Sequence, residues 1–269
     1  MLTFLFWNLS RKDLTDSVAE LARSRDVDLL VLAEYTLQPE LLLEKLNQKS
    51  AEYFFAPDLS RSLTIFSRFH SNFLLPVFGD YRFSIRHMVL PARDSVLVAM
   101  AHLPSQLHHE RDSLAMECIE FSEQINAAET KVGHKRTVVL GDLNLNPFDT
   151  GLISTKGLHA VSSRLVASRG TRQVSGREYH FFYNPMWSHL GDRDGKVPGT
   201  YYYDGGDHLS YYWHAFDQAL VRPDLLRYLN KNSLEIVSAI GEKTLLNDLE
   251  RPDKIEFSDH LPVLLSLQM

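Results

Sequence analysis

The 269-residue chain is 44% hydrophobic, carries a formal net charge of −6 and has one cysteine, Cys118. Those figures allow a sizeable core, exclude an intrachain disulfide or a zinc–thiolate cluster, and argue against a generally basic coat for nucleic acid. No apolar stretch approaches the roughly 20 residues that cross a bilayer, and the first ten residues lack a basic start and a cleavage site, so the expectation is a single cytoplasmic domain over residues 1–269 with no membrane insertion.

Leu2 to Trp7 reads as an apolar strand ending in Asn8, and Leu14, Val18, Leu21 and Ala22 mark a helix after it. Val27 to Ala33 is a second apolar run, ending in Glu34. Two buried strands joined by a helix predict a parallel crossover whose carboxyl ends lie side by side. A short helix over Pro39 to Leu46 follows. Tyr53–Pro57, Ser62–Ser67, Phe73–Phe78, Arg82–Leu90 and Ser95–Ala101 then read as one antiparallel series, the last strand ending at His102. An amphipathic helix over roughly Leu107 to Thr130 holds Cys118 at a buried position and leads into Thr137-Val138-Val139-Leu140, a run without polar interruption that suits a central strand buried on both faces. Gly141 then allows a sharp turn, after which Asp142 and Asn144 point the same way. Residues 156–213 are crowded with Arg, aromatics and Gly, and predict a long, partly ordered excursion. Regular structure resumes at Ala215 to Val221, a strand holding Asp217, and the chain closes on Ser258-Asp259-His260 and an apolar run over Val263 to Leu267.

The strand ends therefore carry Asn8, Glu34, His102, Asp142, Asn144, Asp217, Asp259 and His260. Converging carboxylates repel one another by about 4 kcal/mol per pair at about 4 Å and an effective dielectric near 20. No Lys or Arg is evident at these ends, so a divalent cation is the natural partner. The hard oxygen donors point to Mg²⁺ or Mn²⁺. Such a cation beside a histidine suits phosphoester hydrolysis. Two other readings are Asn8 as a cap for the following helix and His102 as the start of a loop.

The motifs Trp7-Asn8, Leu32-Ala33-Glu34, His102-Leu103-Pro104-Ser105, Gly141-Asp142-Leu143-Asn144, Phe216-Asp217-Gln218 and Ser258-Asp259-His260 resemble, in order and across nearly the whole chain, the endonuclease/exonuclease/phosphatase superfamily, which includes deoxyribonuclease I. The resemblance implies a four-layer α/β sandwich, two mixed β-sheets packed face to face with helices outside. It also implies that Glu34 is the main metal ligand with Asn8 and Asp259, that His260 is the catalytic histidine oriented by Asp217, that Asp142 positions the water, that Asn144 holds a phosphate oxygen, and that His102 contacts phosphate or the leaving group. In deoxyribonuclease I the second histidine has its own carboxylate. Here the corresponding stretch lacks Glu, leaving Asp58 as the substitute.

Substrate choice rests on the excursion. Arg164, Arg169, Arg172, Arg177 and Arg193, interleaved with aromatics that end in Trp213, suit phosphates and unpaired bases and point to nucleic acid. The alternatives are a phosphatase or phosphodiesterase for a small molecule or lipid headgroup, for which Gly199 to Gly206 could shape a narrow pocket, and a catalytically silent scaffold.

Overall fold

In the computed structural model β1 (Leu2–Asn8) is buried along its whole length. The residues described are 1–50, 52–58, 60, 62–105, 111–192, 195–206, 208 and 210–269. α1 (Thr15–Ser24) buries Val18, Leu21 and Ala22, and returns the chain to β2 (Leu29–Ala33), which pairs parallel with β1 and sets Asn8 beside Ala33. The expected crossover is present. α2 (Pro39–Leu46) follows, with Pro39 at its first position, where no amide hydrogen is needed.

The antiparallel strands that come next are divided between two sheets. β3 (Phe54–Phe55) and β4 (Leu63–Ser67) extend from β2, whereas β5 (Leu74–Gly79), β6 (Phe83–Met88) and β7 (Val96–His102) open a second sheet. The change falls where the Arg68 amide donates to Asp28 O and a single helical turn at Ser71–Phe73 redirects the chain. α3 (Arg111–Val132) then leads to β8 (Thr137–Asp142); the start expected for this helix, at Leu107, lies outside the described residues.

The loose excursion expected over 156–213 is a correction. After α4 (Thr150–Ile153), the stretch forms β9 (Ala160–Val161), α5 (Arg164–Ala167), the hairpin β10 (Thr171–Val174) and β11 (Arg177–His180), β12 (Phe182–Tyr183), and a hairpin strand β13 (Tyr201–Tyr202) that pairs with β14 (Trp213–His214). β12 joins β15 (Asp217–Val221) and carries β9 at the edge of the second sheet. Its apolar side chains are too short a run to announce strands by periodicity, yet Phe182 is fully buried. β16 (Leu234–Ile236), the small hairpin β17 (Ala239–Ile240) and β18 (Lys243–Thr244), and β19 (Val263–Leu267) complete the chain.

The first sheet runs β16-β19-β1-β2-β4-β3 and the second β5-β6-β7-β8-β15-β12-β9. They pack face to face, β1 and β2 against β8 and β15. Side chains alternate along the second sheet: Val98, Met100, Val138, Leu140 and Ala219 enter the core between the sheets. Leu97, Ala99, Val139 and Leu220 pack with Leu114, Cys118, Phe121 and Ile125 of α3 on the far side. With Val18, Leu21, Leu42 and Leu46 covering the first sheet, the result is four layers, helix–sheet–sheet–helix. Cys118 is buried as expected, and burial pushes its thiol up to about 12.

Gly141 does not turn the chain. It lies inside β8, paired with Ala101 of β7, and a side chain there would meet Ala101 O at 2.0 Å. Glycine is required because the two central strands approach this closely. Gly141→Ala is expected to cost about 3 kcal/mol or more, since it is the backbone that must move. A melting temperature within 2 °C of wild type, on the order of half a kcal/mol for a chain of this size, would contradict that.

Candidate active site

Three cross-strand neighbours set the floor of the site. In the register of the second sheet His102 at the end of β7 lies beside Asp142 at the end of β8, and Asp142 lies beside Asp217 at the start of β15. The first sheet brings Asn8 from β1 and Glu34, the residue after β2, to the same edge. The closing segment 258–260 is tied onto β1: Ser258 Oγ donates to Asn8 O at 2.6 Å and accepts the His260 amide at 3.1 Å, and Trp7 Nε1–H donates to His260 O at 2.9 Å. Those three bonds fix where the His260 ring can go.

His260 Nδ1 bonds Asp217 Oδ2 at 2.8 Å and lies 3.9 Å from Asp142 Oδ2. Asp217 is fully buried. Burial alone would discharge the imidazole, but Asp217, Asp142 and Asp259 outweigh it and push its pKa up to about 10. Asp142 is held by two donors, the Asn144 amide on Oδ1 at 2.9 Å and Asn8 Nδ2 on Oδ2 at 3.0 Å. Asn8 therefore supports the cluster, while the first helix begins at Thr15 with no side-chain cap. Asn144, in the left-handed region at φ 48°, donates from Nδ2 to Leu103 O at 2.8 Å. His102 Nε2 sits 3.8 Å from Glu34 Oε1 and 3.9 Å from Asp142 Oδ2, so it faces the cluster from the β7 side.

The fit of a divalent cation rests on two local features. Asp259 Oδ1 is buried with no hydrogen-bond partner among the described residues, an acceptor whose burial is costly unless something else satisfies it. Glu34 is held at φ 52°, the strained geometry found at functional sites. Asn8, Glu34 and Asp259 all line the same cleft and offer the hard oxygen donors that a divalent cation takes. Asp142, Asp217 and His260 also place one ligand atom each within 4.8 Å of the others. The direct Asp217–His260 bond already engages Nδ1, which makes that pair a hydrogen-bonded relay with Asp142 3.9 Å away.

The expectation that no cation stands at the strand ends needs correcting. Arg11 Nε lies 3.3 Å from Glu34 Oε2. Ser10 and Arg11 both adopt positive φ, and this fold-back is what returns Arg11 to the end of β2. Nor does Asp58 serve His102: it bonds Ser84 Oγ and forms a buried pair with Arg86 at 3.2 Å.

The cleft, about 400 Å³, is lined by Asn8, Glu34, His102, Asp142, Asn144, Asp259 and His260 and by Ser105, Asn146, Asp149, Tyr201, Tyr203, Tyr211, His214 and Phe216. Asn146 and His214 carry no signal of their own in the sequence, although each lies two residues from a strand-end motif residue, Asn144 and Phe216. None of Arg164, Arg169, Arg172, Arg177 or Trp213 is among the lining residues, a correction with local causes. Arg164 donates to Leu226 O and Leu229 O, and Arg172 and Arg177 project from the β10/β11 hairpin near the β9 edge. Arg169 is exposed beyond α5. Trp213 pairs with Tyr202, on the opposite face of its hairpin from Tyr201 and His214. Arg193 lies outside the described residues.

Burial pushes His214 down to about 4. Its folded pKa thus lies below the unfolded value near 6.5, so the unfolded chain takes the proton first and stability present above about pH 6.5 falls as pH drops toward 4. The melting temperature should decline across that window, and less steeply in His214→Gln. Equal slopes in the two proteins would contradict this.

The sequence profile described as "Endonuclease/Exonuclease/phosphatase family" matches residues 5–260. No curated protein matches the chain. Among solved structures, the 3′ phosphatase NExo from Neisseria bound to a product DNA hairpin is similar at 15% identity and TM-score 0.59, with 100% of each chain covered. An AP endonuclease from Archaeoglobus fulgidus is similar at 14% identity and TM-score 0.57, again with 100% of each chain covered. The endonuclease domain of TRAS1, a telomere-specific non-LTR retrotransposon, gives 15% identity and TM-score 0.56 over 100% of this chain and 99% of that one. At such identities the likeness establishes the fold, the two-sheet α/β sandwich of deoxyribonuclease I.

Proposed function

The chain belongs to the Endonuclease/Exonuclease/phosphatase family, and from that premise we propose that it is a divalent-metal-dependent phosphoesterase that hydrolyses phosphodiester bonds in nucleic acid. The observation that carries the reading is the Asp217–His260 bond of 2.8 Å, buried beside Asp142 at the edge where both sheets end.

Each residue then has a task. Glu34, Asn8 and Asp259 would hold Mg²⁺ or Mn²⁺, which when bound neutralises charge on phosphoryl oxygens and on the leaving oxygen. Asp217 fixes the His260 ring through Nδ1 and leaves Nε2 for the cleft. Held as an imidazolium, His260 donates that Nε2–H to a phosphate oxygen and stabilises the charge that grows there. Asp142, oriented by Asn8 and the Asn144 amide, accepts a proton from the attacking water and aligns it. Asn144 lines the phosphate position, and His102 Nε2 faces it from the other side. The similar structures include two endonucleases and a phosphatase bound to DNA, which supports nucleic acid as the substrate class.

A second reading, a small-molecule phosphate, is favoured by one observation: the described residues lining the cleft include no Lys or Arg. Single-stranded DNA, RNA, supercoiled plasmid and a chromogenic phosphodiester, incubated with Mg²⁺ or Mn²⁺ and with EDTA, separate the two. Nucleic-acid cleavage abolished by EDTA is expected. Cleavage of the chromogenic ester alone would replace the nuclease with the small-molecule enzyme. The absence of helices long and apolar enough to cross a membrane among the described residues bears on neither.

A further inference from the structure

The hairpin β13/β14 has two differently used faces. On the outer face Tyr202 and Trp213 meet edge to face at 5.5 Å, and the Arg251 guanidinium covers Tyr202 at 4.0 Å. The inner face carries Tyr201 and His214 as direct cross-strand neighbours, followed two residues on by Tyr203 and Phe216. From there rings run outward in an unbroken chain: His260 to Tyr201 at 4.7 Å, Tyr201 to Phe216 at 5.4 Å, Phe216 to His214 at 4.5 Å, His214 to Tyr211 at 6.1 Å, and Tyr211 to Phe148 at 5.2 Å. Packing accounts for the inner members, which are buried or half-buried. It does not account for Tyr203 and Tyr211, which are 43% and 53% exposed on the cleft. The Tyr203 ring lies so close to Gly205 that a Cβ there would fall 2.3 Å from Cε1.

The wall also carries a hydrogen-bond donor of fixed direction. Asn146 Oδ1 accepts the Ala215 amide at 3.1 Å, so its Nδ2 is the atom that donates to His214 Nδ1 at 3.0 Å. Nδ1 is thereby the acceptor, and the neutral ring carries its proton on Nε2. His214 thus adds an N–H to a surface otherwise made of aromatic faces.

We propose that this inner face is a base-stacking subsite, seating one unpaired nucleobase of the substrate against Tyr203 and Tyr211, with His214 Nε2–H donating to an acceptor on the base edge. The inference rests on the nucleic-acid reading above and narrows it. It also accounts for the absence of Lys and Arg among the described lining residues: one planar, uncharged ring is gripped here, and the polyanionic backbone is not tracked along the cleft.

The test compares two single-stranded oligonucleotides under Mg²⁺, identical except that one carries an abasic residue beside the cleaved bond. Stacking of one base predicts a KM roughly 10- to 100-fold lower for the base-bearing strand, with kcat within a few-fold. Tyr203→Leu and Tyr211→Leu should shrink that ratio by raising KM for the base-bearing strand more than for the abasic one. Equal KM for both strands in the wild type would overturn the subsite and leave the nuclease standing. Should neither strand be cut, titration of 2-aminopurine deoxynucleotide in EDTA decides the subsite independently of cleavage, and the nuclease reading is decided by the RNA and plasmid assays above. Quenching lost in Tyr203→Leu and Tyr211→Leu supports it, and the absence of quenching in the wild type overturns it.

Discussion

Asp217→Asn is expected to lower kcat by about 1,000- to 10,000-fold with the fold intact, the scale seen when the carboxylate that orients a catalytic histidine is neutralised. The side chain is fully buried and the replacement keeps its shape, so packing is preserved while the acceptor for His260 Nδ1–H changes. An amide beside Nδ1 removes the negative charge that holds the imidazole protonated and can present an N–H in place of an oxygen. His260→Ala should fall as far, because the group that faces phosphate is gone, and the double variant should fall no further than the worse single one. Losses that multiplied instead would mean that the two residues act apart. A loss under 10-fold in Asp217→Asn, with an unchanged melting temperature, would contradict the relay.

Glu34→Gln carries the second large effect, on metal affinity. Second-sphere partners of metal ligands typically change affinity by about 10- to 100-fold, and loss of a ligating carboxylate should exceed that. Calorimetric titration with Mn²⁺ is therefore expected to show more than about 100-fold weakening in Glu34→Gln. Arg11→Ala should bind Mn²⁺ more tightly than wild type, since the guanidinium at 3.3 Å competes for the same carboxylate. Affinity unchanged in both variants would place the ion elsewhere.

The strand ends were legible in the sequence because each polar group closes an uninterrupted apolar run: Asn8 after Leu2–Trp7, Glu34 after Leu29–Ala33, Asp142 after Thr137–Leu140. A buried strand that stops at a carboxylate delivers it to a sheet edge, whatever the rest of the fold does. Which neighbours those groups would find was not legible. Arg11 reaches Glu34 through two successive left-handed residues, and neither Ser10 nor Arg11 is a residue type that announces that geometry. Asp58, in the loop between β3 and β4 of the first sheet, pairs with Arg86 on β6 of the second, a contact between sheets that no local run of sequence announces. Gly141 read as a turn because glycine marks turns and close approaches alike, and only the Ala101 carbonyl tells them apart.

The excursion failed differently. Its basic residues were visible and its aromatics were visible, but alternation across a two-residue strand pair decides which of them faces the cleft. Tyr201 and Tyr203 turn inward, while Tyr202 and Trp213 turn out to Arg251. A one-residue change of register exchanges the two sets, and nothing in so short a run fixes the register in advance.

The most direct test of the metal site is an anomalous-scattering map from a crystal grown with Mn²⁺. A single strong peak in contact with Glu34, Asp259 and Asn8, with His260 still bonded to Asp217, is the result expected. A peak held by Asp142, Asp217 and His260 would break the relay on which the mechanism stands and would contradict it.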